Sequence, residues 1–212
     1  MKREFCSTLY KTPLSPGYWR EAFACLKDLR CLVLAALLVA GRVAVTSFYI
    51  PLAENLKISF GFFLNASGAF LYGPVVGLLT GFATDILGFF IHPQGAFFPG
   101  YTLTAMMGSF VYGLFLFRAK ITPLRLFFCK LSVNLFVNVG LNCVWSAMLY
   151  SKGYLYYLFR NTGKNLLMLP IELLILLAVF RLVVPIATAA HLAPEGSNGL
   201  KKKEPAADPA KV

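Results

Sequence analysis

An arginine, two carboxylates and a row of asparagines stand inside stretches that are otherwise apolar: Arg42, Asp85, Glu172, Asn134, Asn138, Asn142 and Asn165. These residue types suit recognition rather than bond-making. Amides read the donor–acceptor edge of a heterocycle, an arginine grips a carboxylate, and tryptophan or tyrosine stacks on a flat ring. Asn134, Asn138, Asn142 and Trp145 fall within about 80° of one another on a helical wheel. Asn165 and Glu172 share a face of a later helix. The stretch Phe97-Phe98-Pro99-Gly100-Tyr101-Thr102 adds aromatic and hydroxyl groups. Sets of residues that do chemistry are missing from the sequence. Only two histidines occur, His92 and His191, and there is no HExxH pair or Cys/His metal set. No GxSxG elbow and no GxxxxGK[ST] phosphate loop occurs either. The five cysteines form no CxxC pair and read as small packing residues. The expectation is a protein with no catalytic residues, no metal and no cofactor of its own.

The elements that position these groups follow from composition. Hydrophobic residues make up 58% of the 212-residue chain and charged residues 14%, where a soluble protein carries about a quarter charged. The stretches 58–84, 86–117 and 131–151 hold no Asp, Glu, Lys or Arg. A helix needs roughly 20 apolar residues to cross the bilayer core, so the first two stretches must turn within themselves. The spacing predicts an all-α integral membrane protein of six transmembrane helices. They run from about 31 to 49, 59 to 70, 74 to 90, 99 to 117, 123 to 150 and 165 to 185. Tyr72-Gly73-Pro74 and His92-Pro93-Gln94-Gly95 are turns, and Pro170 is a kink. Residues 1–30 form a basic N-terminal segment, 31–190 the membrane domain, and 191–212 a polar tail expected to be disordered from about Ala193.

Six spans place both termini on one side. Fifteen of the 20 basic residues then fall on that side, including Lys2, Arg3, Lys11, Arg118, Lys120, Lys130, Lys201, Lys202, Lys203 and Lys211. The positive-inside rule makes it the cytoplasm. The net charge of +11 therefore reads as membrane topology and not as nucleic-acid binding.

Helix 1 carries two faces. Ala36, Ala40 and Ala44 cover an arc of about 80°, and Arg42 lies roughly 160° from its middle. Small residues at this spacing admit a close helix, either within the chain or from a partner. An arginine at membrane depth costs about 2.5–3.5 kcal/mol unless paired or hydrated, so Arg42 must face a cavity or a neighbour. Arg42, Asp85, Asn138, Asn142, Trp145, Asn165 and the 97–102 loop all fall toward the outer leaflet. They describe a pocket opening outward. Two structural alternatives stay open: Arg42 and Asp85 neutralise each other, or the asparagines are interhelical glue. Gly73, Gly77 and Gly81 read as a close-packing seam.

Phe98-Pro99-Gly100-Tyr101-Thr102-Leu103-Thr104-Ala105 resembles the outer-loop motif of folate-specific S components of energy-coupling factor transporters. Ala36/Ala40/Ala44, Gly81 to Asp85, Asn138 to Trp145, and Asn165 with Leu169-Pro170-Ile171-Glu172 support the resemblance, which spans about Leu32 to Leu182. It implies a six-helix, multi-pass protein of the bacterial cell membrane that captures folate from outside. Substrate contacts would come from Arg42, Asp85, Phe98, Tyr101, Thr102, Asn138, Asn142, Trp145, Asn165 and Glu172. Ala36, Ala40 and Ala44 would dock on a transmembrane coupling subunit driven by two cytoplasmic ATPases, with ATP used by those partners and not by this chain. An S component for pantothenate or riboflavin, or a self-contained transporter or channel, is the alternative. The halves show no internal symmetry of the kind repeat-built transporters carry.

Overall fold

A computed structural model describes residues 9–10, 12–13, 15–47, 49–53, 56–59, 61–91, 97–149 and 153–200. The expected turn at His92–Gly95, the segment 1–8, Lys11, Lys152 and the tail 201–212 lie outside them.

Chain order is α1 Pro16–Ala24, a 3-10 turn Cys25–Lys27, α2 Leu29–Ser47, a β1–β2 hairpin (Tyr49–Ala53, Leu56–Ser59), α3 Gly61–Ile91, α4 Pro99–Leu116, α5 Pro123–Ser132, a π-wound stretch Val133–Leu141, α6 Asn142–Leu149 and α7 Tyr154–Ala189. The π stretch joins α5 to α6 in one rod. Among the described residues, four segments are long and apolar enough to cross a membrane: Leu29–Thr46, Gly61–Ile91, Pro123–Leu149 and Tyr154–Ala189. α3 is itself two helices, because Gly73 interrupts it with φ 81° and ψ −177°. That left-handed φ favours glycine. Pro74, which has no N–H to leave unpaired, opens the second arm. With α4, the described residues hold six apolar rods besides the short α1, a number compatible with the predicted one.

Packing follows side-chain size. Gly77 and Gly81 bring the second arm of α3 onto α4. A Cβ on Gly81 would stand 2.7 Å from the Ala105 carbonyl oxygen, and one on Gly77 would stand 3.2 Å from that of Ser109. Gly113 closes the same seam from α4, where a Cβ would lie 2.5 Å from Pro74 Cα. On α2 the buried residues are Cys31, Ala35, Val39 and Val43, one every four residues. Ala36, Ala40 and Ala44 are exposed. Large apolar side chains such as Leu37, Phe90 and Leu167 face outward as well, the arrangement of a bundle solvated by lipid. The described cysteines are free and buried.

The structure departs from the predicted element boundaries in four places. Helix 1 stops at Ser47, and the chain turns through the antiparallel hairpin pairing Tyr49 with Ser59 and Ile50 with Ile58. β-branched and aromatic residues around Pro51 favour extended backbone over helix. The last helix begins at Tyr154, eleven residues before the expected Asn165, and runs unbroken past Pro170 and Pro185. The N-terminal segment contains α1, whose Tyr18 is buried and donates its hydroxyl to the Gly113 carbonyl at 2.9 Å. Beyond Ala193 the chain pairs with the α4–α5 connection. Ile121 N–H donates to the Ser197 carbonyl at 2.8 Å, Gly199 N–H donates back to Ile121 at 3.0 Å, and Ser197 is fully buried. The composition is polar, but backbone pairing to the α4–α5 connection holds this segment through Leu200.

Candidate functional site

A cavity of about 520 Å³ lies among α2, α3, α4, the α5–α6 rod and α7. Its volume falls in the range of small-molecule sites. Seven of the ten predicted contact residues line it: Arg42, Asp85, Tyr101, Asn138, Asn142, Asn165 and Glu172.

Arg42 and Asp85 are each held by polar neighbours. Arg42 Nη1 donates to Asn65 Oδ1 at 3.1 Å and to Ser109 Oγ at 3.4 Å, while Ser109 Oγ lies 2.8 Å from Asn65 Oδ1. Asp85 Oδ2 accepts from Thr102 Oγ1 at 2.6 Å. Among the described residues no ion pair joins Arg42 to Asp85. The two face the same void and do not neutralise each other by contact. Thr102 stands behind the wall and orients Asp85.

The third charged group was not foreseen. Lys130 Nζ sits 3.1 Å from Glu172 Oε2 and 4.4 Å from the centre of the Phe62 ring, with its side chain 2% exposed. Sequence reading assigned Lys130 to a cytoplasmic basic loop. The structure places it inside, one turn before Asn134, so Lys130, Asn134, Asn138 and Asn142 share a four-residue register. That register was the available signal. Asn134 Nδ2 donates to the same Glu172 oxygen at 3.1 Å, and Asn138 Nδ2 donates to Asn134 Oδ1 at 3.0 Å. Asn134 is therefore structural here, tying the α5–α6 rod to α7. The backbone beneath this row is π-wound from Val133 to Leu141, a winding that recurs at functional sites and re-aims side chains.

Among the described residues, two of the buried side-chain atoms without a hydrogen-bond partner, Asn142 Oδ1 and Tyr112 OH, belong to residues that line the cavity. An unpaired buried acceptor costs about 1–3 kcal/mol. Such atoms in a cavity wall are positioned to meet a ligand.

Trp145 and Phe98 are absent from the wall. The Trp145 indole Nε1 donates to Thr104 Oγ1 at 3.1 Å, and its ring meets Phe98 edge-on at 5.7 Å. Phe98 meets Tyr101 in turn at 5.8 Å. These rings form an aromatic cluster beside the cavity, with Tyr101 as the member that reaches it. Gly100 permits the arrangement, since a Cβ there would stand 2.7 Å from Trp145 Cδ2. Asn65, Tyr112, Ser146, Asn161 and Lys164 also line the cavity, and the sequence alone does not mark them as contacts. They occur singly in apolar stretches or at a helix end, so no periodicity marks them.

Among the described residues, no group of His, Cys, Asp and Glu is placed to hold a metal ion. The wall can bind through charge, amide edges and hydroxyls.

Known proteins share this fold and sequence. The family model "ECF transporter, substrate-specific component" matches residues 30–180. The chain is 27% identical over 158 residues to "Folate transporter FolT" of Clostridium novyi (strain NT), covering 74% of this chain and 92% of that protein. It is 32% identical over 151 residues to "Folate transporter FolT" of Leuconostoc mesenteroides subsp. mesenteroides, covering 68% of this chain and 81% of that one. In fold it is similar to a solved structure described as "Crystal structure of FolT bound with folic acid". That similarity has a TM-score of 0.64 at 24% identity and covers 70% of this chain and 91% of the other. The chain belongs to the substrate-specific components of ECF transporters, integral proteins of the plasma membrane that serve transport and are not enzymes.

Proposed function

We propose that this chain captures folate from outside the cell and delivers it through an ATP-driven energy-coupling factor complex. The observation that carries the reading is a cavity with uncommitted buried polar atoms, in a chain 27% and 32% identical to two proteins named as folate transporters. Folate joins a flat pterin, whose edge alternates donors and acceptors, to a glutamate with carboxylates. Asn138 and Asn142 take the pterin edge. Arg42 takes a carboxylate by charge-assisted hydrogen bonds. Asp85, held by Thr102, accepts from a ligand N–H. Tyr101, backed by Phe98 and Trp145, packs against the ring system. Asn165 and Glu172 hold the far wall.

Delivery needs partners, and the exposed alanine face of α2 supports docking there. Ala36, Ala40 and Ala44 leave room for a helix of the coupling subunit, whose two cytoplasmic ATPases supply the energy. Family membership sets aside the self-contained transporter or channel.

Titration of the purified chain with folate, followed by tryptophan fluorescence and by the mass of any copurified small molecule, tests the reading. Saturable binding with one site per chain is expected. Preference for riboflavin or pantothenate over folate overturns the substrate and leaves the family intact.

A further inference from the structure

A second cavity, of about 490 Å³, lies where the 3-10 turn and α2 meet the end of the first arm of α3 and the chain following α7. Its lining has two characters. Leu34, Leu71 and Leu192 form an apolar wall, and Lys27, Arg30 and His191 stand on the polar side. Lys27 and Arg30 are exposed, and no described carboxylate pairs with either side chain. Asp28, the acid between them, caps α2 by accepting from the Arg30 backbone N–H at 3.0 Å. Arg118 also reaches this cavity but is committed to Glu21 at 3.2 Å.

The polar side sits at a boundary. The apolar span begins at Leu29, between the two cations. Beyond it, Val33 and Leu37 are exposed at 59% and 68%, so in the chain without its coupling subunit the apolar wall continues onto a lipid-facing surface. A basic pocket at the end of a span, open on one side to hydrocarbon, has the form of a phospholipid headgroup site.

We propose that this cavity holds one anionic glycerophospholipid, its phosphodiester between Lys27 and Arg30 and its acyl chains leaving past Leu34 along α2. A soluble phosphate would satisfy the cations equally well but would leave the apolar wall without a partner. The lipid matches both.

Native mass spectrometry and thermal unfolding of the full chain in detergent, with phosphatidylglycerol or phosphatidylcholine added, test this. Phosphatidylglycerol is retained as a single molecule and raises the unfolding midpoint, and phosphatidylcholine does neither. Lys27→Gln/Arg30→Gln lowers retention of phosphatidylglycerol by roughly tenfold or more, the loss expected from two cations at a membrane surface. Its midpoint in phosphatidylcholine stays that of the parent. Leu34→Trp, which fills the apolar side without touching a charge, also expels the lipid. It keeps the test open should the charge variant fail to fold. Equal retention of phosphatidylcholine overturns the proposal. So does a midpoint rise reproduced by glycerol 3-phosphate or inorganic phosphate, which identifies a soluble anion as the ligand.

Discussion

Replacing Asn142 by leucine separates a ligand-binding amide from a structural one, because the two roles predict opposite signs. Asn142 Oδ1 is buried and has no hydrogen-bond partner among the described residues. Leucine is close in size, so the substitution removes the unpaired acceptor without opening a large void. An unsatisfied buried acceptor costs about 1–3 kcal/mol. The unliganded variant should therefore unfold at the parent's temperature or higher. Binding should move the other way. A ligand donor that loses its acceptor inside a dry cavity forfeits a similar sum, roughly 5- to 150-fold in affinity at about 1.4 kcal/mol per tenfold. Thermal unfolding in detergent without ligand reads the first sign, and folate titration of the same sample reads the second. A variant that unfolds several degrees early and binds like the parent refutes the reasoning. Asn142 would then be interhelical glue and the ligand elsewhere.

Ala40→Leu should leave folate binding by the isolated chain within about twofold, since apolar bulk added to a lipid-facing position costs little; uptake by cells carrying the coupling subunits should be abolished. Arg42→Ala should weaken binding by roughly 10- to 150-fold, the worth of a hydrogen bond to a charged group, while pull-down with the coupling subunit persists. Lys130→Met takes from Glu172 the cation at contact distance and leaves it the Asn134 amide, and should destabilise the fold by about 3–5 kcal/mol. Lys130→Met/Glu172→Leu should recover most of that loss, as read by thermal unfolding. Trp145→Phe keeps a ring on Phe98 and loses the bond to Thr104, and should lower affinity less than Asn142→Leu does in the same titration.

Much of the framework was legible because membrane helices obey few rules. Gly73-Pro74 signals a break wherever the residue before a proline adopts a conformation open chiefly to glycine, and the break is there at φ 81°. The Gly77/Gly81 repeat specifies backbone-close packing, and the alanine repeat of α2 stays on the outside as a surface. What escaped the reading depended on distance in space. Lys130 belongs by sequence to a basic loop, and only the depth of Glu172 on α7 draws it inward. α1 has too few apolar residues to be told from a polar leader until Tyr18 finds Gly113. The pairing of 193–200 depends on Ile121, more than 70 positions away in the chain. The π winding is equally hidden. Val133–Leu141 has an ordinary helical composition, and a wheel drawn at 100° per residue misplaces side chains after it. Trp145 falls outside the wall that Asn138 and Asn142 line.

The cavity's own charges favour the proposed substrate over its alternatives. Arg42, Lys130 and Lys164 line it against Asp85 and Glu172, an excess of one positive charge. Low-dielectric walls magnify such an excess, so the cavity favours an anion. Lys130 is matched by Glu172 at contact distance, whereas Arg42 is held by a neutral amide and a hydroxyl, which leave its charge available. Riboflavin offers a heterocyclic edge to Asn142 and Tyr112 but no carboxylate for Arg42. Pantothenate offers the carboxylate but no ring to meet the amides or lie against Tyr101. Folate carries both on one molecule, and Arg42 on α2 and Asn142 on α6 line the same cavity. Such a ligand meets the unpartnered Asn142 acceptor and the Arg42 guanidinium together, whereas either alternative meets only one of them.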